Sequence, residues 1–209
     1  MKYSSLFITA TNTNVGKTYT TLKLIDYFQS KGLKVGVLKP IETGVIDIAE
    51  DATKLFNAAI KNHPALNSLG IDYIVPYKFS LPAAPFVACG DVKISKELIL
   101  KHFEEIAKIS DIVLVEGAGG LMVPIEKDFY MIDLIEYLKL KTILVTSSKL
   151  GSINDTLLSI SALNARAIDF DWLVNIYEDA ESFETITAPF YEKAFGGYLT
   201  IRLLTESVY

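Results

Sequence analysis

The sequence predicts one α/β domain, built as a mostly parallel twisted sheet with helices on both faces. Three observations carry this. Four strand-length segments, Leu6–Thr9, Val35–Leu38, Ile112–Val115 and Thr142–Thr146, are rich in β-branched and apolar residues without alternation. A strand with one wet face alternates, whereas a parallel strand covered on both sides stays apolar throughout. Helical patterns lie between these segments, which is the alternation of a doubly wound sheet with right-handed crossovers. A chain of 209 residues is long enough for one full core, and residues 1–209 read as a single domain. In such sheets ligand loops gather at the carboxyl ends of the strands.

The elements follow in order. Met1 to Ala10 lacks the basic head and cleavage site of a signal peptide and reads as the first strand. Thr18 to Phe28 reads as a helix that stops toward Gly32. The second strand, Val35–Leu38, runs into Lys39-Pro40, and the proline blocks further extension of the sheet. A helix is expected from Asp51 to Ile60. Pro76, Pro82 and Pro85 make Val75 to Asp91 irregular or lightly structured. Glu97 to Lys108 places Leu98, Phe103, Ile106 and Ala107 on one helical stripe. Met131 to Leu138 and Ile153 to Ala165 are further helices, on either side of the strand at Thr142–Thr146. Past Asn175 the periodicity weakens and no element is assigned.

Composition narrows the function. Half of the residues are hydrophobic and 22% are charged, which is the make-up of a globular chain. No apolar run approaches the roughly 20 residues that cross a bilayer, so no membrane partner is expected. The net charge of −5 argues against a nucleic-acid surface, which needs a basic stripe. Cys89 is the one cysteine, so no internal disulfide can form and a reducing, cytoplasmic setting is expected. His63 and His102, in a polar loop and on a helix flank, have no metal-ligand company.

Four segments carry chemistry. In Ala10-Thr11-Asn12-Thr13-Asn14-Val15-Gly16-Lys17-Thr18, a Gly-Lys-Thr triplet follows a predicted strand and opens a predicted helix. The triplet alone turns up by accident in roughly one chain in ten of this size; its strand–turn–helix setting is what gives it meaning. There the backbone N–H groups and the helix start face phosphates, Lys17 reaches the outer phosphates, and the Thr18 hydroxyl ligates magnesium. The domain therefore reads as P-loop NTPase-like. The strand Ile112–Val115 ends in Glu116 and runs into Gly117-Ala118-Gly119-Gly120. A carboxylate at that place can hold a magnesium shell, and the glycines let backbone approach a ligand. Lys39, at the end of the second strand, points over the carboxyl edge near the terminal phosphate. Asp51 is either a second magnesium carboxylate or the cap of its own helix. Lys149-Leu150-Gly151-Ser152-Ile153-Asn154 opens another helix, where backbone N–H groups suit a carboxylate; on these residues alone a plain cap by Ser152 is the simpler reading.

Taken together these segments resemble the dethiobiotin synthetases. That family has a stretched phosphate loop, and counted that way Ala10 takes the place of its first glycine. Lys39-Pro40 with Thr43-Gly44, Val115-Glu116-Gly117-Ala118-Gly119-Gly120 and Lys149-Leu150-Gly151 with Ile153-Asn154 match the family's strings, as do Pro82 and Pro85 and Trp172-Leu173-Val174-Asn175. The matched blocks run in order from about residue 5 to residue 175.

The resemblance implies an enzyme of biotin synthesis, a ligase that spends ATP with magnesium. It would carboxylate 7,8-diaminopelargonic acid with CO2 and close the ring to dethiobiotin, through a carbamate and a carbamic–phosphoric mixed anhydride. It implies Lys17 and Lys39 as catalytic cations and Thr18, Asp51 and Glu116 around the metal. The nucleotide would lie on Asn14, Val15, Gly16, Lys17, Thr18 and Tyr19, with Asp51, Glu116, Gly117, Ala118 and Gly119, and Asn175 would read the base. Thr13, Lys39 and Thr43 would meet the amine or carbamate end of the substrate. Lys149, Leu150, Gly151, Ser152 and Asn154 would hold its carboxylate. A homodimer with the substrate site at the interface is implied as well.

Departures from the family pattern are specific. Ala10 replaces a glycine, and Asn12 and Asn14 stand where acidic residues are common. No clear Ile-Pro segment follows the last strand to clamp the base; Gly196-Gly197-Tyr198-Leu199 is the nearest candidate. Phe183 and Tyr191 are candidates for the family's aromatic contact from a partner subunit. A degenerate nucleotide-binding module without catalysis is opposed by the joint presence of Lys17, Thr18, Lys39 and Glu116, and two further readings compete. One is an amidase-type P-loop ligase, for which this chain has no room for an ammonia-handling domain. The other is a partitioning-type dimerisation switch, which carries an extra early lysine that Thr11, Asn12 and Thr13 do not supply, and usually an amphipathic tail that Leu203 to Tyr209 is too short to provide.

Overall fold

The structure is a computed structural model and describes residues 5–177, 179–202 and 204. Its centre is a five-stranded sheet of β1 (Leu6–Ala10), β2 (Val35–Leu38), β3 (Ile112–Gly120), β4 (Lys141–Ser147) and β5 (Phe170–Asn175). The spatial order is β2-β3-β1-β4-β5, and every pairing is parallel. In β1 and β2 every residue is buried, and in β4 every residue but the two at its ends. Since successive residues of a strand point to opposite faces, such runs mean that both faces are covered. The sheet is parallel throughout, where a mostly parallel one was expected.

The principal helices are α1 (Lys17–Ser30), α2 (Glu50–Ala59), α3 (Lys96–Ile109), α4 (Met131–Leu138), α5 (Ser152–Ala165) and α6 (Ala188–Phe195). Gly32, at φ 80°, ends α1 as expected: its N–H donates to Gln29 and that of Leu33 to Phe28. On α3 the buried residues are Ile99 and Ile106, while Leu98 is exposed. The apolar stripe is thus rotated from the one predicted, because Ile99 and Ile106 share a face that Leu98 does not.

The proline-broken region behaves as its composition dictates, with two short exceptions. Past Pro40 the chain leaves the main sheet, and Ile41–Thr43 pairs in parallel with Tyr77–Phe79. A single helical turn, Pro85–Ala88, follows. The strand β5 carries Trp172 to Asn175, and Leu199 returns beside it, its carbonyl accepting from Val174 N–H. Phe183 and Tyr191 are wholly buried in a satellite core with Val174 and Ala188. That burial removes both from any contact with a second subunit, since neither ring reaches the surface. The chain ending lies outside the described residues apart from Leu204. Among the described residues no helix is long and apolar enough to cross a membrane.

Gly36 shows how tightly the sheet meets its helices. A Cβ placed there would lie 2.5 Å from both Ile106 Cγ2 and Ser110 Oγ. Overpacking of this kind costs about 1–3 kcal/mol. Gly36→Ala is therefore expected to lower the unfolding free energy by about that amount, read as a lower urea midpoint at unchanged slope.

Candidate active site

The site forms where β1, β2 and β3, adjacent in the sheet, reach their carboxyl ends. After β1 the chain turns through Asn14, at φ 57°, and Gly16, at φ 104°. Asparagine is among the few residues with a side chain that enter this left-handed region readily, which gives Asn14 a backbone role. A Cβ at Gly16 would strike the Asn175 amide nitrogen at 2.1 Å. Gly16 caps α1, whose first turn leaves backbone N–H groups without intrahelical acceptors.

A cavity of about 750 Å³ opens in front of this loop. Its walls include Thr13, Asn14, Gly16, Lys17, Thr18 and Tyr19 from the loop and α1, Lys39, Thr43 and Asp51 from the β2 side, and Ala118 and Gly119 from β3. Ile41, Glu42, Pro82, Ala83, Ala84, Pro85 and Val123 complete the lining. The wall thus combines charged and polar groups with apolar ones.

Behind this wall lies a charged cluster centred on Glu116, which is wholly buried. Lys39 donates to Glu116 Oε1 at 2.7 Å and to the Gly117 carbonyl at 3.1 Å. Thr18 donates to the same Oε1 at 2.9 Å, and Thr21 to Oε2 at 2.7 Å. Asp51 approaches the Lys39 ammonium at 3.5 Å. Burial alone pushes the Lys39 amine down, but Glu116 and then Asp51 outweigh it, and the group stays above the ordinary lysine range. Lys17 folds back to donate to the Asn12 carbonyl at 3.2 Å.

The alternatives for Asp51 separate here. The cap of α2 is Glu42, whose two carboxylate oxygens each accept a backbone N–H, from Asp51 and Ala52, at 2.9 Å. The Asp51 carboxylate is left to face Lys39 and the cavity, so it does not cap its own helix. Glu42 and Thr21 were not singled out in the sequence. A glutamate two residues past Pro40 and a threonine inside a helix carry no local signal, and only the fold brings them to the cluster.

Of the β3 glycines, Gly119 lines the cavity, whereas Gly117 and Gly120 pack against neighbouring protein. A Cβ at Gly117 would meet the Phe7 ring at 2.9 Å, and one at Gly120 the Thr11 carbonyl at 3.0 Å. These glycines admit neighbouring protein, where approach to a ligand was predicted, and Gly117 does not line the cavity. Val15 is buried behind the loop.

Two predicted groups lie apart from this cavity. Lys149, Leu150, Gly151, Ser152 and Asn154 do not line it. Gly151, at φ 93°, is the residue that caps α5, and Ser152 is its first helical residue, with its hydroxyl 3.5 Å from that of Tyr191; the cap by Ser152 is therefore not formed. Leu150 is 85% exposed, and Asn154 holds Asp155 on the surface. Asn175 also lies outside the cavity wall, its amide donating to the Val15 carbonyl at 3.0 Å. His63 is buried, with its ring 3.2 Å from the Ser110 hydroxyl, and His102 stacks on Tyr73; His63 is thus a packing residue, where a polar loop was expected.

The cluster fits a hard divalent cation. Its donors are oxygens alone, from Thr18, Glu116 and Asp51, and a positive charge, the Lys39 ammonium, already sits among them. Among the described residues no group of three or more His, Cys, Asp or Glu forms a self-sufficient metal cage. Magnesium seldom uses one, taking one or two carboxylates and the phosphates of its substrate.

A family model described as an AAA domain matches residues 4–188. The chain is 56% identical to the ATP-dependent dethiobiotin synthetase of Sulfurovum sp. (strain NBC37-1) over 92% of its own length and 91% of that protein. It is 41% identical to the enzyme of the same name from Wolinella succinogenes, over 90% and 88%. Among solved structures it is similar to a ParA family ATPase from Chlorobium tepidum TLS, with a TM-score of 0.55 at 14% identity, covering 93% of this chain and 82% of that one. The MinC:MinD cell division protein complex of Aquifex aeolicus gives a TM-score of 0.50 at 19% identity, over 99% and 78%. At such identities the likeness is one of fold.

Lys17 generates a pH prediction. Burial, and next the Lys39 ammonium, lowers its pKa from 10.5 to about 8, against the pull of Glu116 and Asp51. Phosphates favour the charged form. Below about pH 8 Lys17 carries its proton and affinity is full; above it, binding must draw a proton onto the amine and affinity declines. ATP affinity should fall roughly tenfold between about pH 8 and about pH 9.5, with proton uptake measured by calorimetry in two buffers of different ionisation heat. A flat affinity across that window would remove Lys17 from the phosphate contacts.

Proposed function

The chain belongs to the family of ATP-dependent dethiobiotin synthetases, and we propose that it carboxylates 7,8-diaminopelargonic acid with CO2 and closes the product's cyclic urea. Membership makes it an ATP-dependent P-loop ligase. The observation that carries the finer reading is that Lys17, Lys39 and Asp51 line the cavity in front of α1, with Glu116 buried behind them and bonded to Lys39 and Thr18.

The reaction proposed has three bond-forming steps. One substrate amine adds to CO2, loses a proton and becomes a carbamate. A carbamate oxygen attacks the γ-phosphorus of ATP, the bond to the β-phosphate oxygen breaks, and ADP leaves. The second amine then attacks the carbonyl carbon of this mixed anhydride, phosphate departs with the bonding pair, and the nitrogen gives up its proton.

The second step sets the demand on the protein, because two anions must meet. Lys39, held protonated by Glu116 and Asp51, lowers that repulsion, and Lys17 does the same from the loop side. The backbone N–H groups at the start of α1 hold the phosphates in place, so that attacking and leaving oxygens are aligned. Thr13 and Thr43, both on the cavity wall, are placed to hydrogen-bond the amine or carbamate. The apolar lining residues Ile41, Pro82 and Pro85 suit the aliphatic chain. Magnesium, held by Thr18, Asp51 and Glu116 or through water on them, supplies charge neutralisation at the phosphates.

The carboxylate end is assigned to Lys149, Leu150, Gly151, Ser152 and Asn154. Their distance from the cavity of the same chain fits a homodimer in which the partner's copy completes the site. Asn175 keeps its carbonyl oxygen for the base while its amide braces Val15. Leu199, at the end of the Gly196-Gly197-Tyr198-Leu199 segment, bridges Leu173 in the strand that ends in Asn175.

Incubation with ATP, magnesium, bicarbonate and diaminopelargonic acid should yield a product heavier by one carbonyl and lighter by two hydrogens, seen by mass spectrometry, with one phosphate released per product. Lys39→Ala should leave nucleotide binding largely intact and lower kcat by about a hundredfold or more. Unchanged turnover in that variant would take Lys39 out of the mechanism. Asn154→Ala should raise KM for the diamine more than it lowers kcat, as loss of a contact to a non-reacting group does; the reverse pattern would assign the start of α5 another task.

A further inference from the structure

The two oxygens of Glu116 have different neighbours. Oε1 meets Thr18 and Lys39, both of which line the cavity. Oε2 is met by Thr21, which is fully buried and does not reach the cavity wall. The Thr21 hydroxyl has one proton and two acceptors in range, Glu116 Oε2 at 2.7 Å and the Lys17 carbonyl at 2.9 Å. A buried helical threonine ordinarily returns its proton to the carbonyl four residues back. Here an ionised oxygen lies closer, and the charge-assisted bond takes the proton.

We propose that Thr21 is a positioning residue for the metal of this enzyme. It pins Oε2, so that Oε1, the oxygen met by the cavity-lining Thr18 and Lys39, is the one left to serve as a single-oxygen ligand to magnesium or to its bound water. The proposal rests on the reading of Glu116 as a metal carboxylate. Three observations converge on it. The acid has no solvent to hold its second oxygen, since its exposure is 0%. The pinning group is on α1, one helical turn beyond Lys17 and Thr18, so the acid is tied to the element that carries the phosphate contacts. Valine would fill the same space, so packing by itself gives no reason for a hydroxyl at this position.

Magnesium demands near-ideal octahedral geometry with short bonds, which a carboxylate fixed to present one oxygen meets better than one free to swing between one and two. Groups that hold a metal ligand from behind are commonly worth tenfold to a hundredfold in metal affinity.

The test measures Mn2+ binding by electron paramagnetic resonance at saturating ADP, on the full chain, with metal-free ADP affinity and the thermal midpoint recorded alongside. Thr21→Val is expected to weaken Mn2+ binding by about tenfold or more while metal-free ADP affinity stays within about twofold. Thr21→Ser, which keeps the hydroxyl, is expected to bind Mn2+ like the wild type. Should the valine variant not fold, Thr21→Ala takes its place with the same expectation. Wild-type Mn2+ affinity in the hydroxyl-free variant overturns the proposal. So does an equal loss of metal-free ADP binding, or a serine variant as weak as valine. Glu116→Gln separates this proposal from the reading beneath it. Unchanged Mn2+ binding there removes Glu116 from the metal. Loss of Mn2+ in Glu116→Gln with none in the hydroxyl-free variant sinks the role of Thr21 alone.

Discussion

Lys39 and Glu116 form an ion pair 2.7 Å long in which neither side chain is more than 4% exposed, and the site is organised around it. Withdrawing two charges from water costs several kcal/mol each, and leaving either one alone in the interior costs about 3–5 kcal/mol. The structure offsets this with supplementary bonds: Thr18 and Thr21 on the carboxylate, the Gly117 carbonyl and Asp51 on the ammonium. A pair satisfied from so many sides is held rigidly. In the proposed reaction both of its members turn outward, the ammonium to the transferring phosphoryl group and the acid to the metal. Interior neutralisation keeps the two charges in readiness until a polyanion and a cation arrive together.

The sheet explains how residues so far apart in sequence reach one another. Lys39 leaves the end of β2, Glu116 stands near the end of β3, and the loop after β1 feeds α1, while the order β2-β3-β1 makes these three strands neighbours. A register shift between Ile8 and Ala10 lets β3 run four residues past Glu116 along β1. Glu42 adds a second level of placement: by capping α2 through two backbone N–H groups it turns the start of that helix so that Asp51 faces Lys39. The carboxylate that caps and the carboxylate that serves the site are different residues with different neighbours.

Much of this was legible in the sequence because burial leaves a trace there. The strands β1 to β4 stand out as apolar runs, the edge strand β2 included, and Met131–Leu138 coincides with α4. The fifth strand does not, since Phe170, Asp171 and Trp172 are only half-buried at the sheet edge and Asp171 pairs with Lys141. Lys17, Thr18, Lys39 and Glu116 were legible because a phosphate loop and a strand-terminal acid have fixed places relative to a sheet. Thr21 and Glu42 were not. Thr21 meets its acid from across the fold and Glu42 meets backbone N–H groups beyond the intervening loop, and nothing in the flanking residues distinguishes a threonine that holds an acid from one that fills a core.

The placement of the start of α5 bears on how complete one chain is. The cavity in front of α1 is lined by charged, polar and apolar groups, yet within it no group is assigned to an anionic tail. The substrate proposed is an aliphatic acid with both amines toward the far end, so its carboxylate must lie several carbons from the reacting nitrogens. The groups assigned to that end, Lys149 to Ser152 and Asn154, do not line that cavity. On the proposed reading one chain supplies the groups for phosphoryl transfer and its partner the tail anchor. Such a two-chain site makes chain length a criterion for productive binding: a shorter diamino acid would reach the phosphate or the anchor, but not both.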